Sequence, residues 1–296
     1  RVSTIPSTCG ESITMRLLDK SSSLIKLKNV GLAEHDYNNF KELLSKPNGI
    51  ILITGPTGSG KTTTLYAAIN EINPKENKII TVEDPIEYDL GGINQCEVKE
   101  KAGLTFPKIL RSILRQDPNV IVVGEIRDIE TAEIAVSTSL TGHLVLSTLH
   151  TNDAPSAITR LTEMGIKPFL ISASVNGILA QRLVRVMCQS CKVPQKEIKD
   201  SLSDLRLNIK DSEDIEFFHG QGCNYCNNTG YFGRMGIFEF MSLTSELREA
   251  IHRKVPTNEL RKIAHSEGMT TLKEDGLRLV RAGITTLEEL KRISND

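Results

Sequence analysis

Short apolar runs alternate with amphipathic segments between residues 49 and 186. The apolar runs are rich in valine, isoleucine and leucine and have the length of strands, whereas the segments between them place apolar residues three and four positions apart, as helices do. A chain that alternates strand and helix in this way folds as an α/β domain with a mostly parallel sheet covered by helices. The predicted strands are residues 49–54, 78–82, 120–124 and 144–147, and the predicted helices are residues 61–72, 106–115, 129–140 and 154–164.

The flanking segments have different patterns and divide the chain further. Residues 1–19 alternate like strands without obvious partner strands nearby, and residues 20–30 form a polar, serine-containing linker. The α/β core is predicted at residues 31–187, a small glycine-rich module with paired cysteines at 188–240, and a helical subdomain at 241–296. Because the chain begins with arginine rather than methionine and its first strands lack partners, we expect a fragment of a longer protein.

Composition narrows the class of partner. The 36 lysines and arginines nearly balance the 37 aspartates and glutamates, which argues against a generally basic, nucleic-acid-binding surface. Aromatic residues make up 4% of the chain and tryptophan is absent, so base-stacking platforms are not expected either. No apolar run approaches the roughly 20 residues that cross a bilayer. We therefore expect any membrane association to come through a partner protein.

Residues 55–62 read Gly-Pro-Thr-Gly-Ser-Gly-Lys-Thr and fit the phosphate-binding P-loop between an apolar strand and a helix. Glycines let the backbone N–H groups wrap phosphates, and the helix N-terminus adds positive potential. Lys61 is predicted to neutralise the β- and γ-phosphates, and Thr62 to hold Mg²⁺. The flanking strand and helix disfavour an ordinary glycine-rich turn. The predicted nucleotide-binding residues are Gly55, Pro56, Thr57, Gly58, Ser59, Gly60, Lys61, Thr62 and Thr63.

Two glutamates follow predicted strands at the edge where the P-loop lies. Glu83 comes after the second strand and Glu125 after the third, and ligands of α/β sheets bind beyond the carboxyl ends of strands. Gly124 occupies a position where many P-loop ATPases have aspartate, so Glu125 alone must serve the metal or the water. Arg127 is a candidate to balance the charge that develops during hydrolysis. Arg111 and Arg115 flank the same region, although arginines on helices are commonly surface residues.

Four of the six cysteines form two C-x-x-C pairs separated by 31 residues. Such pairs in a chain with an ATP motif indicate zinc rather than disulfides. Four thiolates fill a tetrahedral Zn²⁺ site and leave no open position, which indicates a structural ion. The predicted ligands are Cys188, Cys191, Cys223 and Cys226, whereas Cys9 and Cys96 are expected to be ordinary thiols.

Three further segments resemble motifs of one family. Residues 81–87 (TVEDPIE) resemble its Asp box, residues 123–128 (VGEIRD) its atypical Walker B motif, and residues 141–151 (TGHLVLSTLHT) its His box. The chain is thus similar, over nearly its whole length, to the secretion ATPase superfamily, in the branch of type II secretion and type IV pilus assembly. The resemblance implies a RecA-like P-loop NTPase core, a tetracysteine zinc module, a C-terminal helical subdomain and Mg²⁺-dependent ATP hydrolysis.

The resemblance also implies roles for single residues. Glu83 resembles the carboxylate that activates water and Glu125 the one that organises Mg²⁺, with their division of labour left open. His143 and His150 resemble histidines that sense the γ-phosphate or a subunit contact. Residues 1–19 look like the end of a second N-terminal domain, from which the trans-acting arginines Arg1 and Arg16 would reach a nucleotide.

For the whole protein, the resemblance implies a homo-hexamer that is cytoplasmic and peripheral to the bacterial inner membrane. Its expected partners are the inner-membrane platform and cytoplasmic-domain proteins of a secretion or pilus machine, with no nucleic acid. The tetracysteine module is typical of assembly motors rather than retraction motors. Two alternatives stay open: a nucleic-acid translocase with a similar core, and a nucleotide-gated adaptor without turnover. The choice between secretion and pilus assembly also stays open, because the sequence has features of both branches.

Overall fold

A seven-stranded sheet lies at the centre of the computed structural model, which describes residues 2–15, 25–195 and 216–294. The strands, in chain order, are β1 Val2–Ser7, β2 Gly10–Met15, β3 Gly49–Thr54, β4 Ile79–Glu83, β5 Asn94–Glu97, β6 Val120–Val123, β7 Leu144–Leu149, β8 Val175–Met187, β9 Lys192–Pro194, β10 Phe218–Gly220 and β11 Tyr231–Ser242. The helices are α1 Glu34–Leu44, α2 Lys61–Glu71, α3 Phe106–Ile113, α4 Ile129–Leu140, α5 Ala154–Glu163, α6 Pro168–Ser174, α7 Ser245–His252, α8 Thr257–Ser266, α9 Leu272–Arg281 and α10 Leu287–Ser294.

The strand order of the large sheet is β11-β8-β3-β7-β6-β4-β5. Neighbours from β8 to β5 are parallel, and β11 runs antiparallel to β8 at one edge. This confirms the predicted α/β fold with a mostly parallel sheet. The strand predicted at residues 144–147 continues to Leu149, because Thr148 and Leu149 pair with Ile53 and Thr54 of β3. The strand predicted at residues 78–82 is shifted by one residue to Ile79–Glu83, so Glu83 belongs to it.

Helices cover both faces of the sheet, as its side-chain pattern requires. Along β3 all six residues are buried, and successive side chains enter different cores. Ile50 and Leu52 lie in the core formed with helices α3 to α8, whereas Ile51 and Ile53 lie in the core formed with α1 and α2. A strand that is buried on both faces reads as a continuous apolar run, which is why it was evident in the sequence.

The amino-terminal segment forms a hairpin of its own. Strands β1 and β2 pair antiparallel with Val2 opposite Met15, and every residue of both strands is exposed. The two runs that seemed to lack partners are therefore partners of each other. Of the predicted linker at 20–30, residues 25–30 are described, and Leu27 is fully buried in the core.

The cysteine module connects the end of β8 at Met187 to the start of β11 at Tyr231. The small sheet of β9 and β10 and a 3₁₀ turn at Asn224–Cys226 lie between them in the chain. The boundary expected at residue 240 falls inside β11, which pairs with β8 from Tyr231 to Ser242.

The C-terminal helices pack on this same part of the sheet. Leu279 of α9 joins a core with Val184 of β8 and Ile237 of β11, and α7 and α8 contribute to the large core beneath the sheet. Within the described ranges, no helix is both long enough and apolar enough to span a bilayer.

Candidate functional site

The P-loop joins the carboxyl end of β3 to the first turn of α2. Its sharp course needs glycine, because Gly55 and Gly60 have φ angles of 152° and 89°. A Cβ atom on Gly55 would come within 2.5 Å of the Gln181 carbonyl oxygen and the Ser59 hydroxyl. Gly60 precedes Lys61, the first residue of α2, so the loop leads directly into a helix N-terminus, where free backbone N–H groups favour anions.

Two polar groups of this loop indicate a phosphate ligand. The Ser59 hydroxyl is buried and has no hydrogen-bond partner among the residues that the structure describes. Lys61 is 9% exposed, and its Nζ donates to the carbonyl oxygens of Gly55 at 2.7 Å and Pro56 at 3.1 Å. Burial lowers the pKa of Lys61 to about 8, with Glu125 opposing the shift. A buried lysine and an unpartnered serine hydroxyl in a glycine-rich loop at a helix N-terminus fit an anionic ligand.

The loop forms one wall of a cleft of about 470 Å³. Thr62 and Thr63 are exposed and line it, as do both carboxylates predicted from the sequence. The lining residues are Thr57, Gly58, Ser59, Gly60, Lys61, Thr62, Thr63, Leu65, Glu83, Asp84, Pro85, Glu87, Tyr88, Gly124, Glu125, Thr148, His150, Leu183 and Arg234.

Glu83 is 4% exposed and is held by three donors. The Tyr66 hydroxyl donates to its Oε2. Thr81 Oγ1 and Gln95 Nε2 donate to its Oε1, at 2.6 and 3.1 Å. A carboxylate can accept about four hydrogen bonds, so one position remains for a water or a ligand.

Gly124, the residue before Glu125, lies against the backbone of Val82 and Glu83. A Cβ atom at Gly124 would lie 3.2 Å from the Val82 carbonyl oxygen and 3.3 Å from Glu83 Cα. The end of β6 thus passes close to the end of β4. This contact leaves little room for a side chain at Gly124.

Glu125 lies in a second charged cluster on the other side of the cleft. Its Oε1 pairs with Arg127 Nη2, and its Oε2 lies 3.4 Å from His150 Nε2. The Arg127 guanidinium also lies 3.8 Å from Asp84. Burial and the nearby Lys61 lower the pKa of His150, while Glu125 opposes them. The structure therefore brings Glu83, Glu125 and His150 to the cleft at the P-loop, and it places Arg127 beside Glu125.

His143 has a different location. It directly precedes β7, whereas His150 directly follows it, and β7 is a fully buried strand of six residues. His143 lines a separate cavity of about 630 Å³ at the amino ends of the strands, with Asn119 and Gly142. The structure thus does not bring His143 to the P-loop cleft of its own chain.

Arg111 and Arg115 are also not part of the cluster at Glu125. Arg111 pairs with Glu130 at 2.6 Å on exposed helix surfaces, and Arg115 Nη1 donates to the Arg111 carbonyl oxygen at 2.8 Å. Arg1 and Arg16 lie outside the described residues.

Several residues near the P-loop were not predicted from the sequence. Gln181, at the end of the β8 segment beside the P-loop, accepts a hydrogen bond from Thr64 at 2.8 Å, and Arg234 of β11 lines the cleft. A signal was available, because the polar Gln181 and Arg182 follow directly on the apolar residues 178–180. Because Ala180 pairs with Thr54 at the end of β3, a strand prediction there would have placed Gln181 beside the phosphate loop.

The four paired cysteines converge on one point. Their Sγ atoms all lie within 4.8 Å of one another, and the distances are 3.9 Å for Cys188–Cys223, 3.9 Å for Cys191–Cys226 and 3.7 Å for Cys223–Cys226. Four thiolates about 2.3 Å from a central Zn²⁺ are separated by about 3.8 Å, whereas a disulfide needs about 2.05 Å. The cluster therefore fits a tetrahedral zinc ion.

Backbone contacts support thiolates at this cluster. The N–H groups of Cys223 and Gly230 each lie 3.3 Å from Cys226 Sγ. Although burial acts to raise it, these bonds and those from the Cys223 and Cys191 thiols lower the pKa of Cys226 to about 6, whereas burial and the neighbouring thiols raise the pKa of Cys191 to about 12. A Cβ atom on Gly220 would lie 2.2 Å from the Gly230 carbonyl oxygen, so two glycines let the backbones meet beside the cluster.

Known proteins with similar sequences support this interpretation of the motifs. Residues 1–292 match the family described as "Type II/IV secretion system protein". The chain is 50% identical over 297 residues to the type II secretion system ATPase E of Vibrio cholerae serotype O1, covering 100% of this chain and 58% of the relative. It is 49% identical over 290 residues to the type IV pilus assembly ATPase PilB of Thermus thermophilus, covering 98% of this chain and 33% of that relative.

The fold has a solved counterpart. The crystal structure of the pilus retraction motor PilT with bound ADP has a TM-score of 0.73 and 30% identity, covering 99% of this chain and 73% of that one. The sequence-based resemblance to secretion ATPases is confirmed. The present chain spans 58% of its Vibrio cholerae relative. Over that span, the chain belongs to the type II/IV secretion system protein family.

Proposed function

We propose that this chain is the nucleotide-hydrolysing core of a homo-hexameric ATPase that powers type II protein secretion or type IV pilus assembly. One observation carries the proposal. The unpartnered Ser59 hydroxyl, the buried Lys61 cation and two carboxylates meet in a single cleft at the carboxyl edge of the sheet. Phosphoryl transfer to water needs this combination of a phosphate cradle, a cation and an oriented carboxylate.

The P-loop would hold the phosphates of ATP. Its backbone N–H groups and the N-terminus of α2 provide donors, and Lys61 would exchange its bonds to Gly55 and Pro56 for bonds to phosphate oxygens. Thr62 and Glu125 would hold Mg²⁺, which supplies charge neutralisation at the phosphates. The ADP bound in the structure of PilT, a protein 30% identical, supports a nucleotide as the ligand.

The carboxylates would divide the remaining work between them. Glu83 is fixed by three donors and can orient or accept a proton from water, while Glu125 shares its charge with Arg127 and His150. Arg127 is exposed over 61% of its side chain and can turn toward developing negative charge. His150 would respond to the charge at the γ-phosphate through its contact with Glu125.

Three further residues would act between subunits or domains. His143, at the opposite edge of the sheet, can contribute only through a contact with another subunit. Arg1 and Arg16 would supply cations in trans, as arginine fingers do. Delivery of a cation from a neighbour would couple hydrolysis to rotation of the domains in the hexamer.

The tetracysteine cluster would hold a structural zinc ion. Its four sulfur atoms leave no position for a substrate, and it lies at the ends of β8 and β11 rather than in the cleft. Assembly motors of this family are expected to carry such a module. The zinc module thus favours assembly over retraction.

Relatives from type II secretion and from type IV pilus assembly support the proposed location and partners. One is a secretion ATPase and another a pilus assembly ATPase, at 50% and 49% identity. We infer a cytoplasmic protein, peripheral to the inner membrane, whose partners are platform and cytoplasmic-domain proteins of one such machine.

The test is a chromosomal Lys61→Ala replacement, scored in parallel for surface pili and for secreted enzymes. Loss of pili with normal secretion would identify a pilus-assembly motor, and the reverse a type II secretion motor. If neither changed, the motor proposal would fail. ATP binding by the full-length protein without phosphate release would instead favour a nucleotide-gated adaptor, and stimulation by DNA or RNA a translocase.

A further inference from the structure

We infer that Tyr66 is a positioning residue for the Glu83 carboxylate and ties it to the helix that begins at the phosphate loop. The inference rests on the proposed function, because it assigns a role within the same cleft. Tyr66 belongs to α2 and is 1% exposed. Its hydroxyl donates to Glu83 Oε2 across the space between α2 and β4.

The hydroxyl is itself fixed in place. It accepts the backbone N–H of Glu87 at 3.3 Å, and the Tyr66 ring packs edge-on against Tyr88, with centroids 5.9 Å apart. Both residues belong to the segment that follows Glu83. Burial, together with the bond to Glu83, raises the pKa of Tyr66, so the hydroxyl keeps its proton and remains a donor.

The three donors to Glu83 come from three elements, and this gives Tyr66 a distinct part. Thr81 and Gln95 lie on β4 and β5, neighbouring strands at the same edge of the sheet as Glu83. They set the carboxylate relative to the sheet. Tyr66 lies on the helix whose first residues are Lys61 and Thr62, so it sets the carboxylate relative to the phosphates.

This placement has a consequence for hydrolysis. The attack of water on a γ-phosphate requires a carboxylate held to a few tenths of an ångström, and such groups depend on the residues that support them. A shift of α2 on nucleotide binding would pass to Glu83 through the Tyr66 hydroxyl. Tyr66 would then affect the rate of the chemical step and leave nucleotide affinity unchanged.

A purely structural role makes a different prediction. A buried tyrosine hydroxyl needs a partner for stability alone, and its removal would then lower the melting temperature without a selective effect on kcat. The chain offers a matched control, because the Tyr37 hydroxyl donates to Glu71 Oε1 at 3.3 Å, at the far end of α2 from the P-loop. Tyr37→Phe removes the same chemical group from a tyrosine–glutamate pair away from the cleft.

The experiment measures steady-state ATP hydrolysis by the full-length protein and its Tyr66→Phe, Tyr37→Phe, Glu83→Gln and Tyr66→Phe/Glu83→Gln variants. We expect Tyr66→Phe to lower kcat by about 10- to 100-fold with KM within about twofold, and Tyr37→Phe to stay within about twofold of wild type. In the Glu83→Gln background, Tyr66→Phe should cause no further loss, because the group that it positions is gone.

Unchanged kcat in Tyr66→Phe, or full additivity in the double variant, would overturn the inference. Absence of hydrolysis by the wild-type protein would instead count against the proposed function. If Tyr66→Phe proves too unstable to assay, 4-aminophenylalanine and 4-methylphenylalanine at position 66 compare a ring that keeps a donor with a ring of similar size that lacks one. Equal kcat for the two would also overturn the inference.

Discussion

His143 and His150 lie at opposite ends of the same buried strand, β7, which has six residues. The two histidines are seven residues apart, which at about 3.3 Å per residue corresponds to about 23 Å. The two histidines of one sequence motif thus lie at opposite ends of the strands of the sheet. His150 lies beside Glu125 at the cleft, and His143 lies at the amino edge, where the amino ends of β3, β6 and β7 meet.

The two histidines should therefore behave differently on substitution. We expect His150→Ala to lower kcat for ATP at least about tenfold, because its contact with Glu125 is lost. His143→Ala should leave the dissociation constant for Mg·ADP within about twofold of wild type, as measured by calorimetry. A tenfold loss of nucleotide affinity in His143→Ala would contradict the placement of the nucleotide at the carboxyl edge.

Lys61 and Glu125 are expected to be indispensable for turnover. Lys61→Ala removes the cation that balances phosphate charge, and Glu125→Ala removes a carboxylate from the cleft, so each should abolish phosphate release by the assembled full-length protein. Lys41→Ala is a suitable control, because Lys41 pairs with Glu71 at 2.7 Å on the surface. Activity within twofold of wild type in either site variant would refute the site assignment.

The cysteine cluster is expected to hold about one zinc ion per chain. Metal analysis should show that the double variant Cys188→Ser, Cys191→Ser loses this zinc, because two of four thiolates cannot complete the tetrahedron. Cys96→Ser is the control, since Cys96 lies outside the cluster. Stoichiometric zinc that persisted in the double variant would mean that the ligands are elsewhere.

Glu289 is predicted to stabilise the contact between α10 and the sheet. It is fully buried, and Arg185 and Arg292 hold it at 2.7 and 2.8 Å. Against the raising effect of burial, the bonds from Arg292 and Arg185 lower the pKa of Glu289 to about 2. Glu289→Gln should therefore cost about 1–3 kcal/mol of the free energy of unfolding at pH 7.

The sign of the pH dependence follows from that lowered pKa. The unfolded carboxyl titrates near 4.5, so its contribution is complete above that pH and is lost as pH falls from 4.5 toward 2. Urea unfolding should show that the difference in the free energy of unfolding between wild type and Glu289→Gln becomes smaller as the pH falls through this window. The control is Glu249→Gln, which removes an exposed pair 3.9 Å long and should change stability by less than about 0.5 kcal/mol. A difference between the two proteins that stayed constant across this pH window would contradict the ion pairing.

Glu239 should show the opposite behaviour. Burial raises its pKa to about 7, partly offset by the hydrogen bond from the Ala154 N–H at 2.8 Å. Folding favours its protonated form, so its contribution is complete below pH 4.5 and is lost as pH rises through 7. Glu239→Gln keeps an acceptor for the Ala154 N–H. Relative to wild type, the variant should be more stable at pH 8 than it is at pH 5. A melting temperature for Glu239→Gln at or below that of wild type at pH 8 would argue against a buried carboxylate.

The amino-acid sequence by itself determined the parts that depend on neighbouring residues. A strand buried on both faces needs a continuous apolar run, a phosphate loop needs closely spaced glycines before a helix, and a zinc knuckle needs two cysteines three positions apart. Each requirement is met within a few consecutive residues, so β3, the P-loop and the paired cysteines were evident without coordinates.

Strands β8 and β11 were not evident, and the reason lies in their polar residues. Gln181, Arg185 and Glu239 interrupt the apolar pattern within the strands, and each finds its partner far away in the chain: Thr64, Glu289 and the N–H of Ala154. A polar residue in a buried strand is stable only when such a partner is present.

Tertiary structure alone decided the relationships between distant residues. The order of the strands and the direction of β7 separate His143 from His150, and the packing of α2 on β4 joins Tyr66 to Glu83. The separation of the two histidines and the contact of Tyr66 with Glu83 cannot be derived from positions in the sequence. Side chains far apart in the chain meet only when a shared core fixes the elements that carry them.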